Sequence, residues 1–327
     1  MSKHLSHTRY WATLTVLIIA AILLTFGLLS WNNPLPFGST GYWRIATMRA
    51  NSIIVMALVA ICQAYATVTF QTVTSNRIIT PSIMGFEALY VAVNTATVFF
   101  LGYAGLSLME GPRAFAAQVA LMMVFSGLLY VWLLSGKLGN LHVMLLVGII
   151  LGGGLRSLAS FMQRLLTPSE FDILTAKLFG NVSNAHTDNL PYVIPITIAA
   201  ALFLQSRSRR LNVLALGRDT ATNLGINHRR DTIITLFTVS LLMAMTTSLV
   251  GPMTFLGFLI ATLTYQLCDT YDHKFQLPMA ALVGYVVLVG SYFIMRNIFY
   301  AEGAVTIIIE LVGGTTFLFF IMRKGRL

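Results

Sequence analysis

Stretch after stretch of this chain runs for about 20 residues with almost no charge, and that is the length a helix needs to cross a hydrocarbon core of roughly 30 Å. Ten such stretches follow one another, at 11–31, 52–70, 83–101, 115–134, 142–165, 190–203, 232–250, 253–267, 277–295 and 305–322. No water reaches the middle of a bilayer, so each crossing segment must satisfy its own backbone groups, which selects helices or a closed barrel. Runs of this length select helices. The sixth and eighth are short for a full crossing and are expected to be tilted, extended or partly re-entrant. Composition agrees: of 327 residues, 57% are hydrophobic and 10% charged, where a soluble domain carries about 25% charged residues. The chain reads as an all-α polytopic membrane protein, one transmembrane domain over 1–327. A soluble enzyme and a disordered chain are both excluded.

The first run, preceded by Lys3 and Arg9, could open a secretory signal. Its apolar stretch is too long for one, and Leu-Ser-Trp-Asn-Asn-Pro offers no small-x-small cleavage site, so it reads as a retained anchor. The net charge of +10 would suggest a nucleic-acid partner in a soluble protein. Here the basic residues fall mainly between the apolar runs, and they report topology instead. With ten spans and the N-terminus inside, the inner side holds Lys3, Arg9, Arg77, Lys137, Arg207, Arg209, Arg210, Arg218, Arg229, Arg230, Lys274, Arg323, Lys324 and Arg326. The outer side holds Arg44, Arg49, Arg113, Arg164, Lys177 and Arg296, and Arg156 lies within a span. Fourteen against six places both termini in the cytoplasm.

The longest polar insert on the inner side is 205–231. In its middle, Leu214, Leu216, Ala221 and Leu224 can form an apolar stripe on a short helix, with breaks at Gly217 and Gly225. Such a helix fits a partner's groove or lies on the membrane; a solvated loop obeying the positive-inside rule is the plainer alternative. Thr80-Pro-Ser-Ile-Met-Gly-Phe86 and Gly251-Pro-Met-Thr-Phe-Leu-Gly-Phe258 echo one another, each opening a span with Pro and Gly. Five spans per half would make such a duplication inverted.

Catalytic and ligand-binding motifs are missing. Gly136-Lys137 lacks the upstream glycine of a phosphate loop, and Gly152-Gly-Gly154 lies inside a span, where close helix packing explains it. Cys62 and Cys268 give no disulfide framework, and the histidines (His4, His7, His142, His186, His228, His273) have no metal-ligand spacing. Work against a gradient would therefore draw on a partner or on an ion. Glu87 in the third span and Glu310 in the tenth are the carboxylates an ion-coupled mechanism would use, because ionisable groups at such depth are costly. Packed, hydrogen-bonded carboxylates are the structural alternative.

Residues 49–71 followed by Asn76-Arg-Ile-Ile-Thr-Pro-Ser-Ile-Met-Gly85 resemble the permeases of bacterial iron-siderophore and cobalamin ABC importers. Gln71, Asn76, Pro81 and Gly85 fall at the family's spacing. Leu211-Asn-Val-Leu-Ala-Leu-Gly-Arg-Asp-Thr-Ala-Thr-Asn-Leu-Gly225 resembles its cytoplasmic loop, and Gly251-Pro-Met-Thr-Phe-Leu-Gly257, Arg296, Glu302 and Gly313-Gly-Thr-Thr-Phe317 its later motifs. Ser52 replaces a family arginine, Arg77 a proline, and Ala261-Thr262 a Pro-His pair. The departures suggest a siderophore branch rather than the cobalamin one. The run Asn76-Arg-Ile-Ile-Thr-Pro-Ser-Ile-Met-Gly-Phe86 resembles permeases that pair with a second, non-identical permease, often for catecholate-type siderophores.

The resemblance implies an importer permease in the bacterial cytoplasmic (inner) membrane, moving ferric siderophores for iron uptake. It would be no enzyme itself: a cytoplasmic ATPase dimer would hold ATP and Mg, and an extracytoplasmic binding protein would deliver cargo. Leu214, Leu216, Gly217, Arg218, Ala221, Leu224 and Gly225 would couple to the ATPase. Arg49 and Arg296, with Arg44 standing in for the lost arginine, would dock the binding protein. Asn76 and Ile78 with Leu141 and His142 would form the cytoplasmic gate. An ion-coupled secondary transporter built on Glu87 and Glu310 is the alternative, and a membrane enzyme is disfavoured by the missing catalytic motifs.

Overall fold

The computed structural model describes residues 2–31, 35–36, 38–108, 111–135, 141–178, 182, 187–299 and 305–324. Each of the ten apolar stretches maps onto one helix, apart from a few residues at the ends of some. The helices are α1 (Ser2–Ser30), α2 (Thr40–Val73), α3 (Phe86–Leu108), α4 (Gly111–Ser135), α5 (Leu141–Gln163), α6 (Pro168–Leu178), α7 (Leu190–Ser206), α8 (Ser208–Leu214), α9 (Arg218–Asn223), α10 (His228–Val250), α11 (Leu256–Leu267), α12 (His273–Asn297) and α13 (Val305–Lys324). No strand occurs among the described residues. Among the described residues, seven helices are long and apolar enough to cross a bilayer; α7 reaches that length and hydropathy only when α8, bent from it by 59°, is counted with it. α11 and the apolar part of α13, Val305–Thr316, are shorter. Glu302, Lys137 and Arg326 lie outside the described residues, as does the side chain of His142.

The start signals are local. Ser39 accepts from the Tyr42 amide to cap α2, Asn227 from Arg230 to cap α10, and Asp272 from Lys274 to cap α12. α2 is the axis of the bundle: 78% of its most apolar window is buried, against 11% for α1, which packs on α12 from outside. Buried hydroxyls along the axis bond back to their own helix, as Thr69 does to Tyr65 O (2.6 Å) and Ser240 to Leu236 O (2.9 Å). In lipid the interior differs little from the surroundings in polarity, so close packing holds the helices together.

Small residues make that packing tight. Gly85, at φ +95°, ends a 3-10 turn (Pro81–Met84) and lies against Gly152 of α5, where a Cβ on Gly152 would sit 2.9 Å from Gly85 Cα. Close packing therefore accounts for the first of the three consecutive glycines; Gly153 and Gly154 face open space.

Two features depart from the expected pattern. α2 begins at Thr40, well before the expected 52, because its first turns pack beside α1 and Arg49 is anchored there. α6 is an additional short helix. Thr167 and Glu170 form its capping box, with the Thr167 amide donating to the Glu170 carboxylate (3.1 Å) and the Glu170 amide to Thr167 Oγ1 (3.4 Å). At 11 residues it is too short to span, and Leu174 buries it against the bundle.

Candidate functional site

The insert 205–231 is a built element. Arg207, at the kink between α7 and α8, and Arg210 in α8 both hold the carboxylate of Asp231 at the start of α10, the second at 3.1 Å. Asp231 is buried and Arg207 nearly so, while Arg210 reaches them from the surface, and together they clamp the two ends of the insert. Between them α8 and α9 form a helix–glycine–helix unit, with Gly217 (φ +90°) and Gly225 (φ +80°) at the breaks. Only glycine adopts such φ without strain.

That reversal splits the expected apolar stripe. Leu214 and Ala221 point inward and are fully buried, while Leu216 and Leu224 point outward at 58% and 59% exposure. The four cannot share one helical face, because Gly217 turns the chain between them. The outer surface carries Leu216 and Leu224 with Arg218 and Asp219 exposed beside them.

Gln205 and Asn212 tie the insert to the bundle by hydrogen bonds; Gln205 accepts from the Tyr65 hydroxyl (3.2 Å) and donates to Lys274 O (3.0 Å). Asn212 donates to Asp272 Oδ1 (2.9 Å), which fixes its amide so that its oxygen faces His273. That oxygen accepts from the His273 backbone amide (2.9 Å) and lies 2.6 Å from Nδ1. Nδ1 therefore carries the proton, and Nε2 lies 2.6 Å from Thr72 Oγ1, whose hydroxyl is also within 2.8 Å of Val68 O. Burial pushes the Asp272 carboxyl up; the hydrogen bonds from Asn212 and the Lys274 amide, with the charge of Lys274, outweigh it and hold the group below its ordinary value.

Thr72 is next to the end of α2, and the expected gate begins there. Gln71 donates to Arg77 O (2.8 Å) and accepts from the Tyr265 hydroxyl (2.9 Å). Asn76 donates its amide to Gln71 O (3.1 Å) and accepts from the Ile78 amide (2.9 Å), folding 71–78 into a fixed turn. The Arg77 guanidinium lies 4.8 Å from the Tyr265 ring centre. Leu141, at the start of α5, is partly buried against the main core.

Arg44, Arg49 and Arg296 lie toward the other end of α2, some 23 residues from Thr72, or about 35 Å of helix. Arg49 is buried, and its Nη1 donates to the carbonyls of Leu28 (3.1 Å), Leu29 (3.3 Å) and Trp31 (2.8 Å). It closes the C-terminus of α1. Arg44 is exposed and Arg296 partly so, within electrostatic range of Arg49.

Glu87 is buried and spoken for: its carboxylate accepts from the Met253 amide (3.1 Å) and the Thr254 hydroxyl (2.6 Å). The two echoing Pro/Gly breaks thus meet through one side chain. Glu310 is exposed on α13, and Arg156 of α5 is within electrostatic range of both carboxylates. No three His, Cys, Asp or Glu side chains converge on a metal-sized site among the described residues.

The sequence reading missed Asp231, His273 and Thr72. Asp231 was visible as an acid among six arginines; the other two carry no local signal, since their partners are far away in sequence.

The model of the FecCD transport family matches residues 12–323. The petrobactin import system permease protein FatC of Bacillus anthracis is 48% identical over 319 residues, covering 98% of this chain and 90% of that protein. The petrobactin import system permease protein YclO of Bacillus subtilis is 31% identical over 310 residues, covering 95% of each. Among solved structures, an inward-facing metal-chelate type ABC transporter superposes with a TM-score of 0.76 at 22% identity, covering 96% of this chain and 99% of that one. At that identity the likeness is one of fold.

Proposed function

The chain belongs to the FecCD transport family, and from that premise we propose that it is the permease subunit of an ATP-driven importer whose cargo is a ferric siderophore. Petrobactin, the cargo named for both relatives, is the first candidate. The chain is a transport subunit and no enzyme; ATP and Mg are held on a separate cytoplasmic ATPase pair. In this reading it sits in the cytoplasmic membrane with both termini inside. It pairs with a second permease subunit, and a binding protein meets Arg44 and Arg296 outside while Arg49 holds α1 in place behind them.

One observation carries the mechanism: the outward Leu216 and Leu224 stand on a clamped unit that is hydrogen-bonded through His273 to the end of α2. A groove on the ATPase closing over these leucines displaces α8 and α9 as a unit, because Asp231 fixes both ends. The displacement reaches Thr72 and then the Gln71–Ile78 turn, where the gate is assigned. Transport switches between discrete packings, as close-packed helices do. Gly217 and Gly225 give the unit its shape, and Arg218 supplies a rim charge that orients docking.

Glu87 serves here as a packing carboxylate. Its hydrogen bonds to Met253 and Thr254 occupy both oxygens, which removes the support for an ion-coupled route through it.

Co-purification with the ATPase tests the reading, with and without Leu216→Glu and Leu224→Glu. Retention by the wild type and loss from a folded variant is the expected result. Transport that follows a proton gradient, with no ATPase retained, would overturn it.

A further inference from the structure

One face of α5 does not belong in lipid. Gly153, Arg156, Ser157, Ser160, Phe161 and Arg164 recur at helical spacing and line an open cleft of about 530 Å³. Sites for small molecules occupy about 300–1,000 Å³. The helix around them is otherwise apolar and long enough to span, and Arg156, Ser157, Ser160 and Arg164 are all exposed. The flank next to it is fixed by the Gly85–Gly152 contact, one turn before Arg156, which holds the strip in its orientation. A guanidinium at the depth of Arg156 is costly and marks a pathway or a polar partner.

We infer that this strip is the wall of the transport path that reads cargo charge, and that it takes ferric chelates of net negative charge through their catecholate or carboxylate oxygens. The inference rests on the importer reading and names its substrate class. Arginine presents a planar fork of donors that matches paired oxygens, and Ser157 and Ser160 add hydroxyl donors between the two. Arg164 follows the last residue of α5 and takes part in no ion pair among the described residues. Arg156 lies eight residues deeper, or about 12 Å along the helix. Glu310 of α13 lies within electrostatic range of it. A free arginine at the mouth attracts the anion, while a carboxylate beside the deeper one weakens its hold. Conduction needs that combination, because a site that binds too tightly does not release.

The test is uptake of iron-55 ferric petrobactin by the complete transporter in vesicles, expressed per assembled complex, for R156Q, R164Q, the double variant, R156K and R164K. The double Gln variant is expected to fall about tenfold or more, as for loss of charged hydrogen bonds. The Lys variants keep the charge but lose the fork, so their uptake should fall between the wild type and the Gln variants. Wild-type uptake should also weaken with added salt, and the double variant should lose that dependence. A wild type that imports while the double variant imports equally well overturns the inference alone. A wild type that imports nothing overturns the importer reading and the inference with it. Should the double variant fail to assemble, R164Q decides: a loss partly rescued by R164K supports the assignment, and unchanged uptake overturns it. A loss that disappears when anionic lipid is left out of the vesicles marks a headgroup anchor and overturns it.

Discussion

The Asn212 side-chain oxygen lies 2.6 Å from His273 Nδ1, and the same imidazole reaches Thr72 on its other side, so one ring bridges the 205–231 insert to the end of α2. Residues 60 or more positions apart thereby meet at one point. A bridge of this kind transmits a displacement only while both of its hydrogen bonds hold.

His273→Ala should therefore separate ATP use from transport. Each lost buried hydrogen bond removes about 1 kcal/mol. We expect the variant to retain the ATPase on purification and to hydrolyse ATP, while uptake falls several-fold. Parallel assays of hydrolysis and uptake on the same preparation check this; a proportional loss of both would argue for a damaged fold instead.

The split stripe gives a second contrast. Leu214→Ala empties a fully buried position and should cost about 2–5 kcal/mol of stability. Leu216→Ala, at an exposed one, should change stability by less than about 0.5 kcal/mol and still weaken ATPase retention. Thermal unfolding in detergent measures the first quantity and co-purification the second.

Gly152→Ala places a Cβ 2.9 Å from Gly85 Cα, backbone against backbone, so α5 must move off the 3-10 turn. The expected cost is about 1–3 kcal/mol, seen as a lowered midpoint of unfolding. Gly154→Ala in the same helix meets nothing within 4 Å and should leave the midpoint unchanged or raise it, since alanine is the better helix former.

Asp272 makes the attachment of the insert sensitive to acid. Its carboxyl is held below the ordinary value near 3.9, so the stability it contributes is complete above that value. It is lost as the pH falls through the depressed native one. Asp272→Ala should be less stable than the wild type at neutral pH, and the gap should close on acidification. Unfolding midpoints of both proteins against pH would show it; a gap that stays constant would refute the assignment.

The ten helices could be read from the sequence because the bilayer imposes a length and a composition on each crossing segment, whatever its neighbours. The 211–225 motif and the breaks at Gly217 and Gly225 were equally legible, since turns that demand positive φ require glycine. Even the missed α6 was written locally, in the Thr167–Glu170 capping box. What the sequence could not state was orientation and pairing. Leu214 and Leu216 are chemically alike and two residues apart, yet only the bundle decides that one is buried and the other presented. Arg49 looked like a surface charge until the last turn of α1 supplied three carbonyls for it. Glu87 and Arg156 drew notice as charges within spans, but their roles depend on which helix faces them. Covalent sequence determines which segments must be helices. The tertiary structure alone determines which of their polar groups satisfy one another and which remain for cargo and partners.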